Sequence, residues 1–322
     1  MSKVSIVVPN YNGIKYVETC FDALRKQTMQ DVEIWMIDNG STDGSRELVQ
    51  EKYPEVQVAE LGENTGFCGA VNVGIKRSNS PYVLLLNNDT QATETFVEKL
   101  YQAIEKDEKI FSCSAKMLQY HNREAIDDAG DFYCALGWAY ARGKGAPAEK
   151  YDREGDIFFS CAGAAIYRKE ILDRIGYFDE NHFAYLEDAD IGYRARIQGF
   201  KNRYIPEAVV YHVGSASSGS VYNLFKTRYS SRNSIYLIYK NMPLLQIILN
   251  LPLFIPGFLV KTLFFMLKGY GKEYVAGIGR GFVLSRKGKK EGKKIAFQWK
   301  NAGNYIIIQW ELWVNIVRRF LK

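Results

Sequence analysis

Residues 4–13 read VSIVVPNYNG, a run from Val4 to Val8 that is apolar except for Ser5, closed by Pro9, Asn10, Tyr11, Asn12 and Gly13. A short β-branched run ending in turn residues predicts a buried strand. The pattern returns three times. Residues 32–37 stop at Asp38-Asn39-Gly40-Ser41, residues 56–61 lead into Gly62-Glu63-Asn64-Thr65-Gly66, and residues 82–86 stop at Asn87-Asn88-Asp89. Helical patterns fill the intervals near 15–27, 43–52, 68–77 and 93–106. Apolar strands alternating with helices predict an α/β fold with a Rossmann-like, mixed but mostly parallel sheet covered by helices on both faces. In such sheets ligands sit outside the carboxyl ends of the strands. Each polar cluster named above lies at such an end, so one edge of the sheet gathers the chemistry.

Further along, strands are expected near 110–118, 157–167 and 203–212, with a helix near 187–199. The stretch 127–156, with Gly137, Gly143, Gly145 and Pro147, predicts a long loop or irregular hairpin over the site. Nicotinamide and flavin chemistry is disfavoured because the GxGxxG fingerprint should follow the first strand, where the chain reads PNYNG; a Walker A loop is also absent.

Composition sets the outer bounds. The 322 residues amount to about two domains at ~150 residues each, and 47% hydrophobic against 24% charged residues excludes a disordered tail or a small disulfide scaffold. The net charge of +6 is unevenly spread: residues 1–212 hold 24 basic and 33 acidic side chains, residues 213–322 hold 18 basic and 3 acidic ones. An acidic body is thus joined to a basic, aromatic-rich tail that faces something anionic. Five cysteines without a CxxC pair predict free thiols in a reducing compartment. The first residues lack a secretory pattern, which predicts a cytoplasmic body.

In the tail, the uncharged stretch 241–260 is long enough for a membrane span. Pro243, Gln246, Asn250, Pro252 and Pro256 interrupt it, however, and a single span would carry Lys287, Lys289, Lys290, Lys293 and Lys294 across the membrane from the body, against the positive-inside rule. Helices lying in the interface are therefore expected. Ile306, Trp310, Trp313, Val317 and Phe320 recur at helical spacing, followed by Arg318, Arg319 and Lys322. That stripe serves either a membrane surface or packing on the body or a second subunit, as in a homodimer. No recognition motif accompanies the lysine-rich run 286–294, so nucleic acid is not expected as a partner.

Six segments in fixed order, VSIVVPNYNG (4–13), IDNGSTDGS (37–45), ENTGFCGAVNVGI (63–75), LLLNND (84–89), GYFDENHFAYLEDADIGYR (176–194) and YHVGSAS (211–217), closely resemble family 2 glycosyltransferases of the GT-A fold. Within that family they resemble the bacterial rhamnosyltransferase-like enzymes of cell-surface polysaccharide assembly, over about the first 220 residues. The resemblance implies a GT-A catalytic domain over 1–218 and a basic, helical, membrane-associating region over 219–322. It places Asp38 on the nucleotide base, where a carboxylate accepts the imide N–H of uracil or thymine, so that the donor is a UDP- or dTDP-sugar. Pro9, Tyr11 and Asn12 would frame the nucleoside, and Asn64, Gly66, Asn72 and Asn88 the sugar and diphosphate.

Asn87-Asn88-Asp89 stands where the family has its DxD metal motif, with Asn87 replacing the first carboxylate. Asp89 is then the direct ligand of Mg2+ or Mn2+, which neutralises the departing diphosphate as a Lewis acid, with Asn87 and His212 as further candidate ligands. Outside that resemblance His212 is equally a satisfied strand-end histidine. The resemblance assigns the catalytic base to the Glu187-Asp188 pair. We place it on Asp188, which would remove the acceptor hydroxyl's proton as that oxygen attacks the anomeric carbon; Glu187 either binds acceptor or shares the pair's charge. Asp190 and Arg194 form an ordinary i,i+4 pair. His121 is expected to be exposed and idle, and His182 either lines the site or bonds locally. Arg228 and Arg232 either meet the donor diphosphate or fall there by chance.

The implied function is inverting, metal-assisted transfer of a sugar, first rhamnose from dTDP-rhamnose, to a lipid-linked oligosaccharide at the cytoplasmic face of the bacterial inner membrane, with the enzyme held peripherally by anionic lipid. Two alternatives stay open. One is transfer of another UDP- or dTDP-sugar. The other is a non-catalytic, sugar-nucleotide-binding membrane adaptor, favoured by Asn87 and opposed by the joint presence of Asp89, Asp188 and His212.

Overall fold

The computed structural model describes residues 2–214 and 222–320. The chain opens with β1 (Val4–Asn10), α1 (Val17–Arg25), β2 (Val32–Asp38), α2 (Ser45–Lys52), β3 (Val56–Glu60), α3 (Gly66–Arg77) and β4 (Tyr82–Leu86). All four expected strands and all four helices are present. It continues with β5 (Thr90–Ala92), α4 (Phe96–Glu105), β6 (Ile110–Gln119), β7 (Asn122–Asp128), β8 (Asp131–Cys134), β9 (Trp138–Ala141), β10 (Gly155–Ile157), β11 (Ala164–Arg168), α5 (Lys169–Ile175), α6 (Glu187–Ile197) and β12 (Lys201–His212). The main sheet runs β10-β12-β6-β11-β4-β1-β2-β3, with β5 on β12 and β7 on β6.

Along that path only β11 and β10 oppose the other six strands. The carboxyl ends of β1, β2, β4 and β12 therefore share one edge. The residues explain why the sheet is two-sided. In β4, Tyr82, Leu84 and Leu86 join the apolar cluster on one face, while Val83 and Leu85 join the cluster on the other. Side chains alternate across a strand, so an all-apolar run requires helices over both faces.

One expectation changes and another narrows. The strand expected over 157–167 is two short strands, β10 and β11, with residues 158–163 crossing between them. Asn202 donates to the Phe158 carbonyl at 2.8 Å, Ser160 meets Ser112 at 2.7 Å, and Phe159 forms a single antiparallel bridge with Asp131, so side chains and one bridge rather than a continuous ladder hold the crossing. The stretch 127–156 takes the hairpin form expected as the alternative to a loop: it holds the end of β7, the β8–β9 hairpin and a 3-10 turn at Ala148–Tyr151.

The tail forms α7 (Leu224–Asn241), α8 (Leu244–Leu267), α9 (Gly271–Lys290) and α10 (Ala302–Phe320). The boundary expected at 218/219 lies outside the described residues. The tail shares a core with the body: Phe132, Tyr133, Phe158 and Tyr193 pack in one cluster with Leu237, Phe254, Tyr305 and Leu312. Helices α7 and α9 approach closely because α9 presents glycines; a Cβ at Gly281 would stand 2.6 Å from the Arg232 carbonyl oxygen. Helix α8 lies against the body along one stripe. Gln246 accepts the Tyr193 hydroxyl at 2.8 Å, Asn250 and Gln309 exchange amide bonds at 2.8 Å, and the Gly257 carbonyl accepts the Trp138 indole N–H at 3.1 Å. Its other face is bare, with Leu245 77% and Leu267 88% exposed.

Candidate active site

At the shared edge, Asn10 and Asp38 end β1 and β2 in direct register. The Asn10 amide donates to Ser45 Oγ at 2.8 Å, to Ser41 Oγ at 3.1 Å and to Asp38 Oδ1 at 3.3 Å, and its oxygen accepts from Asn88 at 2.7 Å. Pro9, one residue back, pairs with Ile37 and brings the two strand ends level. Asn12, at φ 52°, accepts from the Thr42 N–H at 2.9 Å, while Tyr11 is exposed. The strand-end loops are therefore stitched to one another. The third loop joins through Asn39: its oxygen accepts the Thr65 N–H at 2.9 Å, and its amide donates to Asn64 Oδ1 at 3.1 Å and the Gly66 carbonyl at 3.1 Å.

Gly66 has φ 76°, and a Cβ there would lie 2.6 Å from both the ring and the carbonyl oxygen of Phe183, so glycine is required by conformation and by space. Asn72 departs from the expected donor contact. Its amide donates to the Phe178 carbonyl at 2.8 Å and Glu180 at 3.0 Å, and its oxygen accepts the Phe178 N–H at 3.0 Å. Its polar groups are spent on holding the 178–180 segment, not turned to a ligand.

After β4, Asn87 donates its backbone N–H to the Gly163 carbonyl at 2.8 Å, and its side-chain amide lies over Gly163, where a Cβ would come within 2.9 Å. Asp89 and His212 meet, with Oδ1 and Nε2 3.3 Å apart. The other ring nitrogen of His212 lies 2.8 Å from Asp127, whose second oxygen takes Lys144 at 2.7 Å. Burial disfavours a charged imidazole, yet hydrogen bonds to Asp127 and Asp89 outweigh it and raise His212 to about 9. Burial likewise opposes ionisation of Asp127, but His212 and Lys144 hold it down at about 2.

These residues fit a divalent cation. Two neighbouring ligands at ~2.1 Å from one hard ion stand about 3 Å apart, close to the separation of Asp89 and His212, and Asp127 is the carboxylate that orients a ligating imidazole from behind.

Glu187 and Asp188 open α6, preceded by Leu186 in the left-handed region at φ 67°. Asp188 is half-buried and accepts the Ala189 N–H at 2.7 Å. Burial pushes its carboxyl up to about 7, and the charge of Asp128 adds to the shift. Glu187 is raised further, by burial first and then by Asp188, and one of its oxygens is buried with no hydrogen-bond partner among the described residues. Nearby, the carboxylates of Asp128 and Asp131 and the thiol of Cys161 lie within 4.8 Å of one another. Burial raises Asp128 to about 6 and Asp131 well above the ordinary range. The edge thus gathers a histidine–carboxylate pair whose spacing suits a cation and a group of acids that burial raises above the ordinary carboxylate range.

Residues 5–176, more than half of the chain, match the family model described as Glycosyl transferase family 2. The chain belongs to that family. A relative from Mycobacterium tuberculosis (strain ATCC 25618 / H37Rv), N-acetylglucosaminyl-diphospho-decaprenol L-rhamnosyltransferase, is 26% identical over 241 residues, covering 66% of this chain and 77% of the relative. Among solved structures, S. aureus TarS 1-349 superposes with a TM-score of 0.60 at 18% identity, covering 88% of this chain and 81% of that one. The mannosyltransferase PcManGT from Pyrobaculum calidifontis, in complex with GDP-Man and Mn2+, superposes with a TM-score of 0.55 at 14% identity, covering 96% and 84%. The protein is a glycosyltransferase of GT-A fold.

Several residues of this glycosyltransferase site escaped the sequence reading. Asn39 stands inside a quoted segment beside Asp38, and its place as the joint between loops follows only from the fold. Asp127, Asp128 and Asp131 lie in the stretch expected to cover the site, but nothing in the sequence pairs them with His212 or Asp188. Arg228 and Arg232 turn elsewhere: Arg228 pairs with Glu273 at 2.8 Å, and Arg232 donates to the Asn181 and His182 carbonyls at 2.8 and 2.7 Å. Asp190 is more than a surface pair, being fully buried between Arg194 at 3.0 Å and Lys240 at 2.9 Å. His182 is also buried, without a side-chain hydrogen bond among the described residues, and burial lowers it to about 4, so it is neutral. His121 is exposed. The segment YHVGSAS is described only as far as Gly214; Ser215, Ala216 and Ser217 lie outside the described residues, as does Lys322.

Proposed function

We propose that this glycosyltransferase moves a sugar with inversion from a UDP- or dTDP-sugar, first dTDP-rhamnose, to a lipid-linked oligosaccharide in cell-surface polysaccharide assembly. The observation that carries the reading is the junction at Asp127-Asp128. Asp127 holds His212 against Asp89, and Asp128, next in the chain, bears on the charge of Asp188. A leaving-group end and a base end are thereby joined through two adjacent residues.

On the leaving side, Asp89 and His212 are the ligands for Mg2+ or Mn2+, with Asn87 as a neutral oxygen donor beside them; the ion, when bound, neutralises the charge that develops on the diphosphate. The PcManGT complex with Mn2+ and the spacing of the two ligands support this. Asp38 takes the base of the nucleotide, with Pro9, Tyr11 and Asn12 around the nucleoside and Asn64, Gly66 and Asn88 toward the sugar and diphosphate. Asn72 acts through the 178–180 segment that it fastens. On the acceptor side Asp188, with a carboxyl raised toward neutrality, takes the hydroxyl proton as the oxygen attacks. Burial and the neighbouring Asp188 push the Glu187 carboxyl toward its neutral form, which lowers the charge that the pair carries. Rhamnose and a lipid-diphosphate acceptor rest on similarity to the mycobacterial enzyme, whose name states both.

Residues 1–218 carry this chemistry and 219–322 bring it to the acceptor. Helix α8 is, among the described residues, the one helix long and apolar enough to cross a membrane. Gln246 and Gly257 bind it to the body through Tyr193 and Trp138, and Asn250 binds it to Gln309 of α10, which favours lying on the surface over crossing. Its bare face and the exposed Ile306, Trp310 and Phe320 of α10, with Trp299 85% exposed, make up the proposed apolar floor of a tail rich in basic residues. Such a surface suits peripheral attachment to anionic lipid at the cytoplasmic face of the inner membrane.

The test is a panel of dTDP-, UDP- and GDP-sugars, with and without Mg2+ or Mn2+, offered with N-acetylglucosaminyl-diphospho-decaprenol. Metal-dependent product from dTDP-rhamnose with inverted anomeric configuration is expected. Turnover of another donor alone would move the sugar assignment, and binding of donor without turnover in any combination would favour an adaptor.

A further inference from the structure

The segment that leads into Glu187 and Asp188 is strained. Phe183 (φ 64°), Tyr185 (φ 70°) and Leu186 (φ 67°) occupy the left-handed region, and none is glycine. Side chains with a Cβ disfavour that region, so such a turn persists only when its surroundings hold it. The backbone carbonyls show what holds it, since buried polar groups must find partners. Those of Asp179, Glu180 and Leu186 accept from backbone N–H groups nearby, that of Phe178 from Asn72, and that of Phe183 from the Cys68 N–H at 3.2 Å. The remaining four are held by two adjacent residues of α7, the His182 carbonyl also accepting the Ala184 N–H at 2.7 Å. Arg232 donates to Asn181 and His182, and the Asn233 amide donates to His182 at 3.0 Å, Ala184 at 2.9 Å and Tyr185 at 2.7 Å.

Asn233 is fully buried, and its orientation is set from the other side, where its oxygen accepts the Arg232 Nε–H at 2.9 Å. The same helix face adds rings: Phe183 stacks on Tyr229 with centroids 5.1 Å apart, and Tyr236 donates to Asp179 at 2.8 Å. The first tail helix is therefore built into the turn that presents the base.

We propose that Asn233, with Arg232 beside it, is a positioning residue for glycosyl transfer: it holds the carbonyls of Ala184 and Tyr185, within the strained 183–186 turn, so that the Asp188 carboxylate meets the acceptor hydroxyl. The proposal rests on Asp188 being the base. Its consequence is specific, because the hydrogen bonds that stitch the loops at Asn10, Asp38 and Asn39 involve no residue of α7, and the turn meets them through the contact of Phe183 with Gly66. Loosening the turn costs the chemical step and spares nucleotide binding. Displacement of a reacting group by about 1 Å suffices for a loss of about 10²-fold.

The experiment compares wild type, Asn233→Asp, Asn233→Ser and Asp188→Asn, using the donor selected by the panel and N-acetylglucosaminyl-diphospho-decaprenol, well below each variant's thermal midpoint. Aspartate turns two donors into lone pairs facing three carbonyl oxygens; serine keeps one donor and needs no extra room, so it carries the test if the aspartate variant does not fold. The expected result is a fall in kcat of about 10²-fold for Asn233→Asp and about 10-fold for Asn233→Ser, with dTDP affinity and donor KM within about threefold. Amide hydrogen exchange should rise over 183–190 and stay unchanged over 37–45. Wild-type kcat in both Asn233 variants, or equal losses in kcat and dTDP affinity, overturns the positioning role while an inactive Asp188→Asn leaves the base assignment standing. Transfer retained in Asp188→Asn overturns the base assignment, and the role of Asn233 with it.

Discussion

Asp188 works under two opposed demands, since a base must lose its proton while a half-buried carboxyl beside Asp128 resists doing so. With its carboxyl at about 7, transfer should fall as pH drops below about 7, because the protonated form cannot accept the acceptor's proton. The stability sign runs the other way. A carboxyl raised in the folded state destabilises progressively as pH climbs from its ordinary ~4 toward 7. The thermal midpoint of Asp188→Asn should therefore exceed that of wild type above pH 7, with the gap closing toward pH 4; a gap independent of pH would contradict the burial of this carboxyl. At this scale the sequence was legible wherever a residue sits in a motif at a strand end, as Asp38, Asp89 and His212 do. It was silent about Asp127, Asp128 and Asp131, which reach the site only because β7 and β8 fold back onto the edge. It left Arg232 open between the donor diphosphate and chance, because the carbonyls that this arginine satisfies leave no mark in a sequence.

Elements came through the sequence where their apolar runs are long enough to read, not simply where they are buried: β3 exposes Gln57 and Glu60 yet was expected, whereas β8 is wholly buried and was not. The runs of β1, β2 and β4 are closed on both faces and stood out at once; β8 and β9, four residues each, have no period to read. Two joints between elements make separate predictions. Gly66→Ala places a Cβ against Phe183 in a left-handed backbone, where the strain is of order 1–3 kcal/mol; denaturant titration should show a loss of that size, and no loss would mean that the α3 start is not pressed on the 183 turn. Lys240 lies between Asp179 at 2.7 Å and Asp190 at 2.9 Å, all three buried. Lys240→Met removes the cation and leaves both carboxylates, which costs about 3–5 kcal/mol when a buried pair is broken. A midpoint within a degree of wild type would show that the network contributes little.

The whole molecule is an acidic catalytic sheet whose basic tail shares its core, a unity that the charge division of the sequence concealed. Removing the tail from residue 284 would strip Tyr305, Ile308 and Leu312 from that core and the Leu312 carbonyl from the Ala135 N–H. Attachment to lipid is therefore better probed on the surface. Ile306→Ser, Trp310→Ser and Phe320→Ser together should weaken sedimentation with vesicles containing anionic lipid by about tenfold, more so at low salt, while leaving the thermal midpoint unchanged; unchanged sedimentation would turn the apolar floor toward a second subunit instead. In the proposed enzyme the chemistry occurs at Asp188 on a donor held by other residues. The most direct measurement sets transfer and dTDP affinity side by side for wild type and Asp188→Asn at pH 8 with saturating Mn2+. A fall in transfer of at least about 10³-fold, with affinity within about threefold, is the predicted result. Transfer retained, or affinity lost in step with transfer, would contradict it.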